Sequence, residues 1–300
     1  MDTAALDTLG PDASVYYEPE LVDDRQALLQ AVSYADGLIV RNRTQVDTAL
    51  LDAAPSLRVV GRLGVGLDNI DSGACAARDV TVCPAIGANA ASVAEYVLTS
   101  ALLLLRPAYD LNARMLAGAW PRADAVGAEL GGRTLGLIGF GNIARVTAAK
   151  AQALGMNVIA HDPLVPTDDP AWGTVKFTPF ETVIATADVI SLHIPLTDAT
   201  RHLIDANAIA AMKPEAILIN TARGGIVDEA ALAAALQANK LAGAALDVFE
   251  TEPLTQDQAQ VFAGLGNILL TPHIAGVTHE SNARVSRVTV DNVKRALGLE

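Results

Sequence analysis

Short apolar runs alternate with alanine-rich stretches of helical periodicity along nearly the whole chain. This alternation is typical of an α/β protein with parallel sheets. The apolar runs are rich in Val, Ile and Leu and lack a clean alternation with polar residues, which suits strands buried on both faces. The predicted strands span residues 37–40, 57–61, 134–139, 157–161, 188–193, 216–220, 242–248 and 267–271.

Two long helical stretches interrupt this repeating pattern. One spans residues 89–116 and the other spans residues 280–297. They predict that the chain leaves one domain and later returns to it. We therefore predict a discontinuous first domain of residues 1–88 plus 277–300, and a second domain of residues 89–276.

The start of the first domain is unusual for an α/β fold. Residues 3–9 have a helical pattern, and the first strand-like run is residues 15–17. Because an α/β domain normally opens with a strand, we expect the usual first strand of this domain to be absent.

The composition narrows the class of protein and of partner. The 300 residues leave room for two domains, and a content of 51% hydrophobic and 18% charged residues excludes a disordered chain, a collagen-like fibre and a coiled coil. The formal net charge of −13 argues against a general binder of nucleic acid or of anionic membranes. An acidic surface is also consistent with adaptation to salt.

The cysteines and the apolar runs bear on the compartment. Cys75 and Cys83 are too few for a disulfide framework or a four-cysteine metal site, and suit core positions in a reducing cytoplasm. The most apolar run, residues 97–105, is far shorter than the ~20 residues of a membrane span. His273 and His279 have no partner at metal-ligand spacing. We expect a cytoplasmic protein with no metal site and no membrane partner.

A glycine-rich turn points to a dinucleotide cofactor. Residues 134–144 read TLGLIGFGNIA, which is a buried strand, a G-x-G-x-x-A turn and the start of a helix. Gly139 permits the tight turn, Gly141 lets the backbone approach a pyrophosphate, and Ala144 lets the helix pack on the strand. Asp162 ends the next strand, where a carboxylate binds the ribose hydroxyls and repels a 2′-phosphate. The motif therefore predicts NAD rather than NADP.

Three reactive side chains follow strands that should end at one edge of the sheet. Arg223, Glu252 and His273 come after the sixth, seventh and eighth predicted strands, respectively. An arginine fork can hold a carboxylate, an imidazole can exchange a hydroxyl proton, and a nearby carboxylate stabilises the imidazolium. Each residue alone has an ordinary role in a loop ion pair, on the surface or in the core. Their shared edge beside the cofactor motif indicates hydride transfer.

These segments resemble the D-isomer-specific 2-hydroxyacid dehydrogenases, in particular the phosphoglycerate-dehydrogenase-like group. The resemblance spans nearly the whole chain. We predict an α/β protein of two Rossmann-like domains with parallel sheets: a flavodoxin-like substrate domain and a doubly wound NAD-binding domain. The family also forms dimers through the cofactor domain, so the resemblance implies a homodimer and would explain the apolar helix at residues 97–105. The matching segments are residues 61–71, 135–141, 220–228, 245–250 and 272–276.

The resemblance implies a role for each matching residue. The family's catalytic arginine, glutamate and histidine fall on Arg223, Glu252 and His273. Its ligand of the nicotinamide amide falls on Asp247. Asn142 departs from the family, which usually has Arg or His there, so one pyrophosphate contact is expected to be lost. The expected NAD contacts are Gly139, Gly141, Asn142, Ile143, Asp162, Ile194, Pro195, Thr221, Ala222, Arg223, Asp247, His273, Ala275 and Gly276.

Basic side chains near two strand ends suggest a substrate with an anionic tail. Arg41 and Arg62 lie where phosphoglycerate dehydrogenases hold the substrate phosphate, and Arg122 resembles an arginine contributed by the second subunit. The alternative is that these arginines are surface residues that offset the negative charge of the surface. Arg43 departs from phosphoglycerate dehydrogenases and is closer to 3-sulfolactate dehydrogenases, so both substrates remain candidates. The expected substrate-binding residues, which include the family's carboxylate-binding loop, are Arg41, Arg62, Gly64, Val65, Gly66 and Arg122.

We therefore predict an NAD-dependent oxidoreductase that acts on a small D-configured 2-hydroxy acid. His273 would take the C2 hydroxyl proton while hydride leaves C2, and Arg223 would orient the substrate. The alternative from another class is an NAD(H)-sensing binding protein, similar to the corepressors related to this family. A third candidate is a relative that oxidises formate or phosphonate. The sequence of residues 62–71 gives it no specific support.

Overall fold

The computed structural model describes residues 1–109 and 111–299, and the chain divides into two compact units. The first unit comprises Met1–Asn89 and Val277–Glu300, and the second comprises Ala90–Gly276. The sheets of both units are parallel, which confirms the predicted α/β class.

The first unit contains a three-stranded parallel sheet. Its elements up to residue 84 are α1 (Arg25–Ala31), β1 (Gly37–Val40), α2 (Thr48–Ala53), β2 (Val59–Arg62), α3 (Ser72–Ala76) and β3 (Thr81–Pro84). The strand order is β1-β2-β3. An aspartate begins each short helix, because the side chains of Asp24, Asp47 and Asp71 accept a hydrogen bond from a backbone N–H of the first turn. Short 3₁₀ turns span Pro19–Val22 and Val32–Tyr34.

Among the described residues, the N-terminal segment contributes no strand before β1. Residues 15–17 form no strand, and the Tyr16 side chain among them is 75% exposed, so this run has no buried face to hold it in a sheet. Thr3–Leu9 forms a 3₁₀ helix, whose Ala5 and Leu9 pack against Val290 of the C-terminal helix. That C-terminal helix, His279–Leu297, also packs on β2 and β3.

The second unit contains a seven-stranded parallel sheet with helices on both faces. Its strands are β4 (Thr134–Ile138), β5 (Asn157–His161), β6 (Lys176–Phe177), β7 (Val189–Leu192), β8 (Ile217–Asn220), β9 (Gly243–Leu246) and β10 (Ile268–Leu270). Its helices are α4 (Ala90–Leu105), α5 (Asn112–Leu116), α6 (Asn142–Ala153), α7 (Phe180–Thr186), α8 (Ala206–Ala211), α9 (Glu229–Gln237) and α10 (Gln256–Ala259). Further 3₁₀ turns span Pro107–Tyr109, Pro170–Trp172 and Gln260–Phe262.

The strand order of this sheet creates a binding crevice. The order is β10-β9-β8-β7-β4-β5-β6, so the chain starts in the middle, runs outward to β6 and returns to the other side of β4. Ligands of such sheets bind where the order reverses, at the carboxyl ends of the strands. Here the reversal lies between β4 and β7. The strands β7, β8 and β9 are buried throughout, as their mostly apolar sequences predict.

The helix predicted over residues 89–116 is interrupted. α4 ends at Leu105, and Pro107 then begins a 3₁₀ turn, since proline cannot continue an α-helix. Val97 and Ala101 pack in the core of their own unit, whereas Leu102 and Leu103 of the same apolar run are 39% and 37% exposed. In the part of the chain that the structure describes, no helix combines the length and the apolar character needed to cross a membrane.

Candidate active site

The loops that follow β4, β7, β8, β9 and β10 share one edge of the sheet, because all these strands are parallel. These loops carry all three predicted catalytic residues and most of the predicted cofactor contacts. The exceptions are Asp162, which follows β5 at the same edge, and Asn142 and Ile143, which begin α6. The topology thus brings together side chains that are separated by more than a hundred residues in the sequence.

The glycine turn after β4 has the geometry of a dinucleotide cradle. Gly139 has φ +90°, and a Cβ there would lie 2.5 Å from the carbonyl oxygen of His193, so a side chain would clash with the main chain after β7. Gly141 precedes the first residue of α6 and has ordinary extended φ. Among the described residues, no atom would lie within 4 Å of a Cβ at Gly141. A ligand therefore has open space beside the helix N-terminus, whose N–H groups favour phosphate.

Asp162 joins the glycine turn to the loop after β5. Its carboxylate accepts hydrogen bonds from the backbone N–H groups of Phe140 (2.8 Å) and Leu164 (2.9 Å). Each carboxylate oxygen keeps a second lone pair, so the side chain can also accept bonds from ribose hydroxyls. The Phe140 ring stacks on Trp172 at 4.5 Å, and the Arg145 guanidinium lies over the same ring. This packing fixes the turn before any ligand binds.

The loop after β7 lies beside the glycine turn. His193 donates its backbone N–H to Ile138, and its ring Nε2 lies 3.0 Å from the buried hydroxyl of Ser191. Burial lowers the pKa of His193 to about 4, so its imidazole is neutral at physiological pH. Ile194 is half-buried and Pro195 is exposed, at the positions predicted to face the nicotinamide.

Arg223 lies in a loop whose backbone is held by the end of β8. The side-chain amide of Asn220 donates to the Arg223 carbonyl (2.8 Å), and its carbonyl oxygen accepts the N–H of Ala222 (3.0 Å). The Arg223 guanidinium donates to the Ala222 carbonyl at 2.6 Å and remains half-buried. Thr221 and Ala222, both predicted cofactor contacts, are half-buried in the same loop.

Gly224 brings the Arg223 loop against the loop after β9. A Cβ at Gly224 would lie 1.7 Å from the carbonyl oxygen of Phe249, which is closer than any side chain allows. The two backbones therefore touch only because position 224 is a glycine. The loop after β9 continues to Glu252, so this contact ties the predicted guanidinium and the predicted carboxylate to one another.

His273 and Glu252 form the central pair of the site. The Nδ1 atom of His273 lies 2.7 Å from Oε2 of Glu252, and Oε1 of Glu252 accepts the Phe249 N–H at 3.1 Å. The side chains of His273 and Glu252 are 42% and 33% exposed, so a substrate can reach the imidazole. With Nδ1 engaged by the carboxylate, Nε2 is left as the ring atom that can exchange a proton with substrate.

Asp247 is buried and holds the backbone around His273. Its Oδ1 accepts the hydroxyl of Thr271 (2.6 Å) and the N–H of Ile274 (2.8 Å), and its Oδ2 accepts the N–H of Ala275 (2.8 Å). The N–H of His273 donates to the Asp247 carbonyl at 2.8 Å. His273 has φ +55°, a left-handed conformation that a non-glycine residue adopts only when its surroundings hold it there.

A tyrosine on α4 completes this buried network. The Tyr96 hydroxyl lies 2.5 Å from the Thr271 hydroxyl, which in turn donates to Asp247. Burial raises the pKa of Tyr96, and the nearby Asp247 charge raises it further, so the hydroxyl stays protonated. Sequence patterns did not single out Tyr96 or Thr271. For Thr271, the available signal is its position directly before Pro272 and His273.

The predicted substrate arginines of the first unit lie at neighbouring strand ends. Arg62 is the last residue of β2 and pairs in register with Val40 of β1, directly before Arg41. The Arg62 guanidinium donates to the Leu63 carbonyl and lies against Gly64. Val65 and Gly66 continue this loop. Arg43, the residue at which this chain departs from phosphoglycerate dehydrogenases, forms an ion pair with Asp23.

The second unit carries the remaining predicted substrate residue, Arg122, which is exposed. The described residues contain no group of three His, Cys, Asp or Glu side chains that could hold a metal ion.

The glycine cradle, Asp162 and the open space at Gly141 fit a bound NAD. The reversed sheet order around that cradle, with a carboxylate-paired imidazole and a guanidinium at the same edge, defines a nicotinamide-dependent dehydrogenase. The chain belongs to the D-isomer-specific 2-hydroxyacid dehydrogenase family, since residues 98–275 match the NAD-binding domain of that family.

Individual relatives agree with this assignment. The chain is 58% identical over all its 300 residues to (S)-sulfolactate dehydrogenase of Chromohalobacter salexigens, of which it covers 96%. It is 42% identical over 92% of its length to D-3-phosphoglycerate dehydrogenase of Mycobacterium leprae, and it spans 52% of that protein. The crystal structure of Aquifex aeolicus D-lactate dehydrogenase with NAD and lactic acid is similar, with a TM-score of 0.79, 29% identity and 94% coverage of each chain.

The family and the relatives establish an NAD-dependent 2-hydroxyacid dehydrogenase. They confirm the predicted enzyme class and cofactor. They give no support to the alternative of an NAD(H)-sensing protein with little turnover.

Proposed function

We propose that this dehydrogenase interconverts 3-sulfolactate and its 2-oxo acid, with Arg223, Glu252 and His273 as its catalytic residues. The observation that carries the proposal is the 2.7 Å pair of His273 and Glu252, at the edge of the sheet where the cofactor cradle opens. Bound NAD supplies the hydride acceptor at this edge. The residues of the chain supply the proton acceptor, the orientation and the charge.

His273 takes the C2 hydroxyl proton in oxidation and returns it in reduction. The Glu252 carboxylate favours the imidazolium that forms, and it fixes the ring so that one nitrogen faces the substrate. Arg223 binds the substrate carboxylate as a planar fork and polarises the C2 oxygen. We also assign the loop of Gly64, Val65 and Gly66 to the substrate, on its resemblance to the family's carboxylate-binding loop.

The cofactor contacts follow from the same geometry. Gly141 and the N-terminus of α6, where Asn142 and Ile143 begin the helix, would hold the diphosphate. Asp162 accepts the ribose hydroxyls and excludes a 2′-phosphate. Ile194, Pro195 and Asp247 would hold the nicotinamide.

The substrate is argued from identity and from charge. The relative of 58% identity, which aligns along the whole chain, is named for (S)-sulfolactate. Sulfur outranks oxygen in the priority rules, so (S)-3-sulfolactate has the same spatial arrangement as D-lactate and satisfies the predicted D configuration. Arg41 and Arg62 suit a tetrahedral oxyanion. 3-Phosphoglycerate is the second candidate because the same arginines can hold a phosphate.

The quaternary state and the compartment complete the proposal. The surface that follows α4 exposes large apolar side chains, among them Leu116 (89%) and Trp120 (79%). We assign this surface to a homodimer interface, which would also carry Arg122 to the partner's substrate. Cys75 and Cys83 are free thiols, which suits the reducing cytoplasm.

The test is NADH turnover with a panel of 2-oxo acids that differ only in the tail: 3-sulfopyruvate, 3-phosphohydroxypyruvate, pyruvate and glyoxylate. We expect the highest kcat/KM for 3-sulfopyruvate. A higher value for 3-phosphohydroxypyruvate would replace the substrate, whereas no turnover of any member, by a protein that binds NADH, would refute the catalytic roles.

A further inference from the structure

A cluster of three side chains lies beside the proposed catalytic residues and is not part of them. It consists of His202 in the loop after β7, Glu229 at the start of α9 and Glu250 in the loop after β9. Each of these residues therefore belongs to, or directly follows, one of three consecutive loops at the carboxyl edge of the sheet.

The two glutamates bind each other's backbone. Oε1 of Glu229 accepts the N–H of Glu250 at 2.6 Å, and Oε1 of Glu250 accepts the N–H of Glu229 at 3.4 Å. The same Glu250 oxygen lies 3.1 Å from Nε2 of His202. The backbone N–H of His202 donates to the carbonyl of Gly225 at 2.7 Å. Together these bonds tie the three loops to one another.

The cluster brings the negative charges of Glu229 and Glu250 close together. Burial raises the pKa of Glu229, and the charges of Glu250 and Glu252 raise it further, whereas the hydrogen bond from the Glu250 N–H and, less strongly, His202 lower it. Donation of an N–H from Nε2 of His202 to Glu250 offsets part of the repulsion between the two glutamates. His202 also has φ +49°, so its backbone is held in an unfavoured conformation at this contact.

The cluster contacts the loop that carries Glu252 and adjoins the loop that carries Arg223. Glu250 lies two residues before Glu252, which contacts His273. Glu229 follows the loop that carries Arg223, and Gly224 in that loop touches the backbone at Phe249. A shift of either loop would change the distance between the guanidinium and the imidazole that must engage one substrate.

We propose that His202, Glu229 and Glu250 are positioning residues that set the geometry between Arg223 and the Glu252–His273 pair. This inference rests on the proposed function, because it takes those three residues as the catalytic groups. Misplacing reacting groups by about 1 Å can cost on the order of 10²-fold in rate, so a partial loosening should have a measurable effect on kcat.

The first test compares truncating with conservative variants. Glu229→Ala and His202→Ala should lower kcat about tenfold, because each removes a bond between loops that carry the proposed catalytic residues. Glu229→Gln keeps an oxygen that accepts the Glu250 N–H, and His202→Gln keeps a donor for Glu250. Both Gln variants should therefore recover most of the kcat. Glu95→Ala, which removes a surface ion pair to Lys150 in the same unit, is the matched control.

The second test needs no turnover. Amide hydrogen exchange in residues 221–228 and 249–255 should accelerate together in Glu229→Ala, by about tenfold or more, and stay at the parent rate in Glu95→Ala. Parent exchange rates in Glu229→Ala, or Gln variants that lose as much kcat as the Ala variants, would overturn the inference. If the parent turned over no 2-oxo acid, the proposed function would fail, and coupled exchange of the two loops would still decide whether the cluster positions them.

Discussion

The two glycines of the cofactor turn should respond to alanine in opposite ways. At Gly139 the added Cβ would lie 2.5 Å from the His193 carbonyl, at a φ of +90°. The left-handed conformation alone costs ~1–2 kcal/mol for a non-glycine residue, and the main-chain overlap adds to it. We expect Gly139→Ala to lose at least about 3 kcal/mol of unfolding free energy, or roughly 6–12 °C in Tm for a unit of this size.

At Gly141 the same methyl group meets no described atom within 4 Å, and the backbone conformation is open to any residue. Replacing a glycine N-cap by alanine should cost no more than about 1 kcal/mol. The methyl group would instead occupy the space assigned to the diphosphate. Loss of one charge-assisted hydrogen bond, worth ~1.5–3 kcal/mol, raises the Kd of NADH about 10- to 100-fold.

Thermal unfolding followed by circular dichroism measures the first effect, and NADH fluorescence titration measures the second. Gly266→Ala is the control, because Gly266 also has open space at its Cβ but precedes β10 at the opposite edge of the sheet. It should change neither quantity. NADH affinity at the parent level in Gly141→Ala would show that the diphosphate does not bind at this turn. Parent stability in Gly139→Ala would show that the turn does not have the described geometry.

Four other variants test the remaining roles. Asp162→Ala should weaken NAD binding and relax the rejection of NADP, and a parent that already uses both cofactors would contradict the placement of this carboxylate. Glu252→Gln removes the carboxylate charge 2.7 Å from His273, which should lower kcat and leave the Kd of NADH near the parent value; a parent kcat would exclude this role. Arg62→Ala should lower kcat/KM about 10- to 100-fold for 3-sulfopyruvate, the worth of a charged hydrogen bond, and hardly at all for glyoxylate; equal losses would mean that it supports the loop. Asp247→Asn places an amide N–H against a backbone donor, which should lower the free energy of unfolding by about 1–3 kcal/mol. It should also lower kcat, and a variant with parent kcat would contradict the role of Asp247 in holding the loop around His273.

The strands of the second unit were predictable because burial on both faces leaves an unbroken apolar run. β7, β8 and β9 all fall within predicted strands. The strands that sequence reasoning missed lie at sheet edges: β3 reads TVCP and is only partly buried, and β6 has two residues. A short, half-exposed strand carries little apolar signal, so only its neighbour in the sheet defines it.

The error in the first long helix has an equally local cause. The apolar and helical pattern continues through residues 89–116, but Pro107 stops the helix that precedes it. Val15 and the two tyrosines after it satisfy the composition of a strand, yet they are exposed and unpaired in the sheet. The composition of a segment shows that it could form a buried strand. Whether it does so depends on a neighbouring strand or helix that covers it.

Order along the chain could place Arg223, Glu252 and His273 at one edge, because each follows a predicted parallel strand. It could not reveal how Asp247 acts. Family resemblance suggests a ligand of the nicotinamide, but the structure shows a carboxylate that already accepts three hydrogen bonds from the loop around His273. One lone pair on Oδ2 remains for a ligand. The same side chain can therefore hold the left-handed turn at His273 and still contact the cofactor, which would couple the position of the proton acceptor to the position of the hydride acceptor.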